Sequence, residues 1–357
     1  MTPRENLLRL MRRQGGHERA PVMFSLCPAL EEIRTSRPGG ERPAHEQFEF
    51  PGRGVSGPKL PPRVVDWHKF YPQPLRNLAG IDSTWGIAHE KGSEAACHMT
   101  HMRHPLEPFD SVEQVLAYPW PDFAHADTSH IRGQAEAIKA QGFSAEGYMA
   151  CTVWETAWYL RGMETLMADM MDDSPMATTI LDQVTDRACL QIASYARAGV
   201  DYVFIGDDIG MQSTFMMSPA LYREWLKPRL KRVIDAARKE KPDIIIDYHS
   251  CGYVLPGIPD LIEVGVDVLN PVQPECMDFA EIHRQFGDKL SFRGTIGTQT
   301  TMPHGTPAEV KRVVWRNLEI AGSRGGLWCT PTHMLEPEVP WENVLAYVEA
   351  CGEFRGA

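Results

Sequence analysis

From about residue 128 onward, short apolar stretches alternate with longer amphipathic ones, and this alternation constrains the fold more than any other feature. The spacing predicts a helix at 128–141, a strand near 143–149, helices at 152–171 and 174–198, a strand at 202–207 and a helix at 219–239. It continues with strand 243–249, helix 256–263, strand 266–271, helix 278–285, strand 289–294, helix 307–321, strand 326–330 and helix 341–352. Segments such as Tyr202-Val203-Phe204-Ile205 and Ile244-Ile245-Ile246 are apolar throughout, as strands covered on both faces are. Short connections between strand and helix require parallel strands joined by crossover helices. With a first strand at Pro21-Val22-Met23-Phe24-Ser25-Leu26, seven to eight such units result. A TIM (β/α)8 barrel fits this count and the 357-residue length. The alternative is an open doubly wound sheet, but no Gly-x-Gly-x-x-Gly loop supports it.

Residues 36–127 have a different texture. Pro38-Gly39-Gly40, Pro51-Gly52, Pro58 and Pro61-Pro62 break up any periodicity, with aromatic and histidine residues between them. Connections this long are uncommon and usually functional. The expectation is one barrel domain over 1–357, with 36–127 an irregular insertion that covers the carboxyl-terminal face of the barrel.

Charge and composition narrow the function. The formal net charge is −11 and the isoelectric point about 5.6, which disfavours nucleic acid and anionic membranes as partners. No apolar run approaches the roughly 18 residues of a membrane span. Residues 1–16 read as an amphipathic helix carrying Arg4, Arg9, Arg12 and Arg13, without the apolar core of a secretory signal. The eight cysteines lack disulfide-framework spacing, so thiols or metal ligands in a cytoplasmic protein are expected.

The chemistry gathers at the predicted strand ends. On a barrel, polar residues at carboxyl-terminal strand ends line the active site; here those ends carry Glu146, Asp207, Asp208, His249, Cys251, Asn270, Arg293, Cys329 and His333. Residues i and i+2 of a strand share a face, so His249 and Cys251 project together. Imidazole and thiolate are both good ligands for zinc, and a catalytic zinc needs a third protein ligand and an open fourth position. Cys329 and His333 are the two candidates for that third place. Asp207 and Asp208 point opposite ways, so at most one faces the barrel centre, where it orients substrate or accepts a proton; the other reading is a helix or turn cap. Arg293 is read as an anchor for an anionic group or as half of a structural ion pair. Glu146, Asn270, Trp154 and Tyr248 are the substrate-binding candidates. Trp154, Trp158 and Tyr159 form either a packed helix face or an aromatic wall for a ring substrate. His98, His101 and His104 are a weaker metal candidate. Asp247-x-His249-x-x-Gly252 matches a corrinoid-binding pattern, but it lies inside a barrel repeat and lacks the rest of such a module.

Several segments carry a family resemblance. They are Glu5-Asn6-Leu7-Leu8 leading to Pro21-Val22, Asp82-Ser83-Thr84-Trp85-Gly86, and His249-Ser250-Cys251-Gly252. Two more are Gly265-Val266-Asp267-Val268-Leu269-Asn270-Pro271-Val272-Gln273 and Pro340-Trp341-Glu342-Asn343-Val344. Over nearly its whole length the chain resembles the uroporphyrinogen decarboxylase superfamily, which implies a TIM barrel with its site at the carboxyl end. The decarboxylases of that superfamily carry an arginine-rich motif after the first strand; here that place reads Ser25-Leu26-Cys27-Pro28-Ala29-Leu30, with no arginine before Arg34. The zinc methyltransferases of the superfamily bind metal through His-x-Cys and a distant Cys. His249 and Cys251 match the first two, and alignment of the tail places His333 at the third, with Cys329 the alternate. The resemblance therefore implies a zinc-dependent methyltransferase. It would move a methyl group between a small substrate, a methyl ether or thiol, and a separate corrinoid (cobalamin) protein. Asp208 or Asp207 would orient the substrate, and Arg293 and Asn270 would hold its polar end. A metal-free carboxy-lyase using Asp207 or Asp208 is the alternative. Whether the chain also forms a homodimer is left open.

Overall fold

The computed structural model describes residues 1–92 and 100–354. Among the described residues, ten strands run in chain order as β1 (Gly52–Gly54), β2 (Leu78–Ile81), β3 (Ala88–Lys91), β4 (Thr100–Arg103), β5 (Ser144–Ala150), β6 (Tyr202–Gly206), β7 (Ile245–His249), β8 (Val268–Asn270), β9 (Ser291–Arg293) and β10 (Leu327–Trp328). Seven of them form one curled sheet in the order β1-β5-β6-β7-β8-β9-β10, and every neighbouring pair is parallel. The crossover helices between consecutive strands give this sheet the TIM-barrel-like α/β architecture that the alternation predicts.

The eighth sector departs from expectation. Residues 21–26 do not form a strand. They are tied to the last unit by one parallel bridge, Leu26 to Leu335, where Cys27 donates its N–H to the Leu335 carbonyl and Leu335 donates to Ser25, both at 2.9 Å. On the other side Phe24 packs edge-on against Phe48 and Phe50, just ahead of β1. Pro21 fixes φ and donates nothing, so this sector is closed by side chains rather than by a ladder. The first strand of the sheet is instead β1, a Gly-Arg-Gly segment within the expected insertion. Glycine is required at its start, since a Cβ at Gly52 would lie 2.3 Å from the Tyr202 hydroxyl. The rest of the insertion holds a three-stranded antiparallel sheet, β2-β3-β4.

Helix boundaries follow local chemistry. Ser174 caps the helix Pro175–Ala198, Pro175 opens it, and Gly199 ends it in the left-handed conformation. The long helix expected over 152–171 is broken at Gly162 (φ 88°) into Trp154–Arg161 and Met163–Met171. Among the described residues no helix is long and apolar enough to cross a membrane.

The barrel interior is layered. At the amino-terminal end, the helix Pro3–Met11 packs Leu7, Leu8, Leu10 and Met11 against Tyr202, Ile245, Val268 and Trp328, and so plugs the bottom. One layer higher the interior is ionic. Arg293 donates to Asp247 at 2.5 Å, in a pair whose side chains are 9% and 0% exposed. The guanidinium also lies over the rings of Phe204 and Trp328, at 4.9 and 4.7 Å. Tyr202 donates its hydroxyl to Glu146 beside it. Burial pushes the carboxyls of Glu146 and Asp247 upward, and Arg293 opposes the shift in both. Above this layer the barrel opens into the candidate site.

Candidate metal and substrate site

Alternation along the strands decides which side chains reach the site. Asp247, His249 and Cys251 follow one inward-facing series, and Phe204 and Asp208 follow another. Their neighbours turn away. Tyr248 is 1% exposed and donates its hydroxyl to the Asp207 carbonyl. Asp207 points to the helix behind β6 and accepts from the backbone N–H groups of Val153 and Glu155 at 2.9–3.1 Å. It caps the start of helix Trp154–Arg161; burial pushes its carboxyl up to about 7 against those hydrogen bonds. Trp154 is fully buried and shares a small crevice with Asp207 and Tyr248 behind the barrel wall. Glu146, Asp208, His249, Asn270, Arg293 and His333 line one cavity of about 780 Å³.

Three groups converge here, with Asp208 and His249 on the cavity wall and Cys251 beside them, outside its lining. The Nε2 atom of His249 lies 3.4 Å from the Cys251 sulfur and 3.7 Å from Oδ1 of Asp208. The ligand atoms of Asp208, His249 and Cys251 all lie within 4.8 Å of one another. The zinc bond lengths to nitrogen, oxygen and sulfur imply tetrahedral ligand–ligand edges of about 3.3–3.7 Å. Both separations fall in or at the edge of that range, so nitrogen, sulfur and oxygen donors here fit a zinc ion. The triad comes from three places in the chain: Asp208 just past β6, His249 at the end of β7, and Cys251 in the turn that follows. Asp208 also accepts the Cys251 N–H at 2.7 Å, which locks the turn. Among the described residues this is the one cluster of such donors. His98 lies outside the described residues, His101 is exposed on β4, and the ring of His104 is bonded to the Tyr159 carbonyl.

His249 is aimed by its second nitrogen. Nδ1 lies 2.6 Å from Oδ1 of Asn270, and the Asn270 amide nitrogen donates to the Arg293 carbonyl at 3.1 Å. The amide oxygen must therefore face the ring, which makes Nδ1 the protonated nitrogen and leaves the Nε2 lone pair toward the cluster. Asn270→Leu is expected to weaken zinc affinity by about 10–100-fold, as loss of an outer-shell partner does. A competition titration with a chromogenic chelator checks this, and unchanged affinity removes the orienting role.

The surroundings are acidic. Glu155 lines the cavity behind Asp208; it accepts the Asp208 N–H at 3.2 Å and the Tyr159 hydroxyl at 3.0 Å. Burial, then Asp207 and Asp208, push its carboxyl up to about 8. Burial, then Asp208 and Glu155, push the Cys251 thiol well above its usual value. A cation at the cluster would relieve both effects. Glu155 escaped the sequence reading because an acid in the first turn of a helix is ordinary dipole chemistry. The ring of His333 sits 6.2 Å, centroid to centroid, from that of His249. It is wetted by the cavity yet walled by protein; burial and then His249 hold its pKa below the usual histidine value. Cys329 is fully buried, pairs with the Thr295 hydroxyl at 3.6 Å, and is absent from the cavity wall. The wall at residues 23–25 is Met, Phe and Ser.

A TIM-barrel-like α/β protein with a nitrogen, sulfur and oxygen triad at its carboxyl-terminal rim is the class that fold and site define. Residues 148–354 match the uroporphyrinogen decarboxylase (URO-D) family, and the chain belongs to that family. It is 25% identical over 206 residues to a methylated-thiol–coenzyme M methyltransferase of Methanosarcina mazei, covering 55% of this chain and 50% of the relative. The match thus spans half the length of that relative. It is 24% identical over 255 residues to the uroporphyrinogen decarboxylase of Pseudomonas fluorescens, covering 68% of each chain. Among solved structures, a methyltransferase from Methanosarcina mazei superposes with a TM-score of 0.65 at 18% identity, over 99% of both chains, which supports the shared fold.

Proposed function

We propose that this protein is a zinc-dependent methyltransferase that moves a methyl group between a small substrate, a methyl ether or thiol, and a separate corrinoid protein. The observation that carries the reading is the Asp208–His249–Cys251 triad, whose spacing suits zinc and whose Asp208 and His249 line a cavity large enough for a substrate. The methyltransferase relative and the matching fold point the same way. Zinc held there would act as a Lewis acid on the substrate oxygen or sulfur that carries the methyl group.

The chain's own residues do the rest. His249, Cys251 and Asp208 hold the ion, with His249 and Asp208 side chains 17% and 38% exposed toward the cavity. Asn270 keeps Nε2 aimed. Asp208 adds a negative charge that balances the ion, and His333 stands beside the open side of the cluster. Arg293, spent on Asp247 and on two ring faces, supports the floor of the site. The Met23, Phe24 and Ser25 wall is apolar or neutral, which disfavours a substrate bearing many carboxylates and so the carboxy-lyase alternative.

The test supplies zinc-loaded protein with a reduced corrinoid protein and a methyl ether or methylated thiol, and follows the corrinoid's visible spectrum. Substrate-dependent spectral change, lost on chelation and restored by zinc, is the expected result. Carbon dioxide release from a porphyrinogen by metal-free protein would establish the lyase instead.

A further inference from the structure

A second cavity of about 770 Å³ lies beside the site. The two meet along Tyr148, Ala150, Cys151 and Tyr159, which line both. The far walls come from the insertion, through the segments around Arg63 and Trp85, and from helix Pro175–Ala198, through Gln191. Together the two spaces exceed the roughly 300–1,000 Å³ of an ordinary small-ligand pocket, and far exceed what a one-carbon donor needs.

The chemistry of the second lobe selects a neutral, aromatic occupant. Trp85, Phe123, Tyr148 and Tyr159 line it alongside several prolines. Its charged lining residues among the described ones are already engaged. The Arg63 guanidinium donates to the carbonyls of Pro119, Ser83 and Thr84, and the Asp82 carboxylate accepts from the N–H groups of Thr84 and Trp85. Arg63 and Asp82, opposite in charge and on the same wall, leave the lobe without a net excess of either sign to draw in an ionic ligand, and a buried charge that finds no full partner is costly.

Tyr148 marks the junction. Its ring stacks on Phe204 at 5.4 Å and 12°, yet the residue is 58% exposed. One face is covered and the other is free to stack on a ligand ring. Phe204 in turn touches the His249 ring at 5.6 Å, so the free face stands two ring contacts from the metal triad. Cys151, also at the junction, holds φ at +60°, a left-handed conformation that non-glycine residues adopt only at a cost. Its carbonyl is held by the Thr156 hydroxyl, so the junction is a built feature rather than a loose edge.

We infer that the second lobe binds the distal, uncharged aromatic part of an extended methyl ether whose reacting oxygen reaches the Asp208–His249–Cys251 triad. This rests on the methyltransferase reading and sharpens it to a substrate class. On this reading one ring lies at the triad and a second, linked ring lies against the free face of Tyr148. One-carbon and single-ring donors leave the lobe unused.

Calorimetric titration of the full-length protein with para-methoxybiphenyl and with methoxybenzene tests this. The two-ring probe is expected to bind roughly tenfold or more tightly, from burial of the second ring. Gln191→Trp, which pushes an indole into the lobe, is expected to bring the ratio of the two affinities toward one. Equal affinities in the wild-type protein, no binding of either probe, or a variant that weakens both probes alike would overturn the inference. If circular dichroism shows Gln191→Trp misfolded, Tyr148→Ala gives the same readout at an exposed position: a selective several-fold loss for the two-ring probe, with an unaltered ratio counting against the lobe. Repeating the titrations on metal-free protein keeps the two readings apart. A preference that survives without zinc while methyl transfer is absent fails the methyltransferase reading alone, whereas methyl transfer without the preference fails the lobe alone.

Discussion

Cys251→Ala protein is expected to lose its zinc and, with it, at least about a hundredfold in methyl transfer, more than the loss of an outer-shell partner such as Asn270. The sulfur sits 3.4 Å from His249 Nε2, and among the described residues it is the one thiol of the donor cluster. Elemental analysis of purified protein is the measurement: near-stoichiometric zinc in the wild type, little in the variant, and unchanged circular dichroism in both. Three companion variants fix the third ligand. Asp208→Ala is expected to strip the metal nearly as completely, because its carboxylate is the third group within 4.8 Å. His333→Ala should retain most of it. Cys329→Ala should leave the metal untouched, since that thiol is buried against Thr295. Should His333→Ala empty the site while Asp208→Ala does not, the imidazole and not the carboxylate closes the coordination sphere.

The second large effect lies one layer below. Arg293→Met removes the cation from the ionic layer and leaves Asp247, fully buried, and Glu146 next to it without compensation. Breaking a buried pair in this way costs about 3–5 kcal/mol. A urea titration should show a clearly lower midpoint, and Asp247→Leu in the same chain should recover part of the loss by removing the stranded charge. The pH dependence has a definite sign. Burial already raises the Asp247 carboxyl, and Arg293 opposes that rise; without Arg293 the folded state holds a proton that the unfolded chain releases near its ordinary value of about 4. The variant's extra instability therefore grows as pH rises above that value. A midpoint within about 1 kcal/mol of the wild type at neutral pH would mean that the layer is not a compensated ion pair.

Much of this architecture is legible in the chain. The apolar runs at 202–207 and 243–249 appear as β6 and β7 within a residue or two, because strands buried on both faces need that composition. The two-residue period that places His249 beside Cys251 is equally local. The same rule, applied one residue earlier, would have sent Tyr248 to the opposite face, where it is found. It also separates Asp207, which caps a helix, from Asp208, which faces the cavity. The strand expected at 21–26 failed for a local reason too: Pro21 and a missing neighbouring ladder leave it a bridged loop. β1 was hidden because three residues with two glycines carry no period at all.

The sequence by itself determined the alternating units, the parallel sheet and the His249–Cys251 pair, because each is written in spacings shorter than one element. The tertiary structure alone decided that Asp208 joins that pair across 43 residues. It also decided that Asn270 aims the imidazole from the next strand, that Arg293 is spent on Asp247, and that an insertion shares a second cavity with the site. Those choices depend on which strand ends become neighbours when the sheet curls, and chain closure brings together residues whose separation in sequence carries no periodic signal.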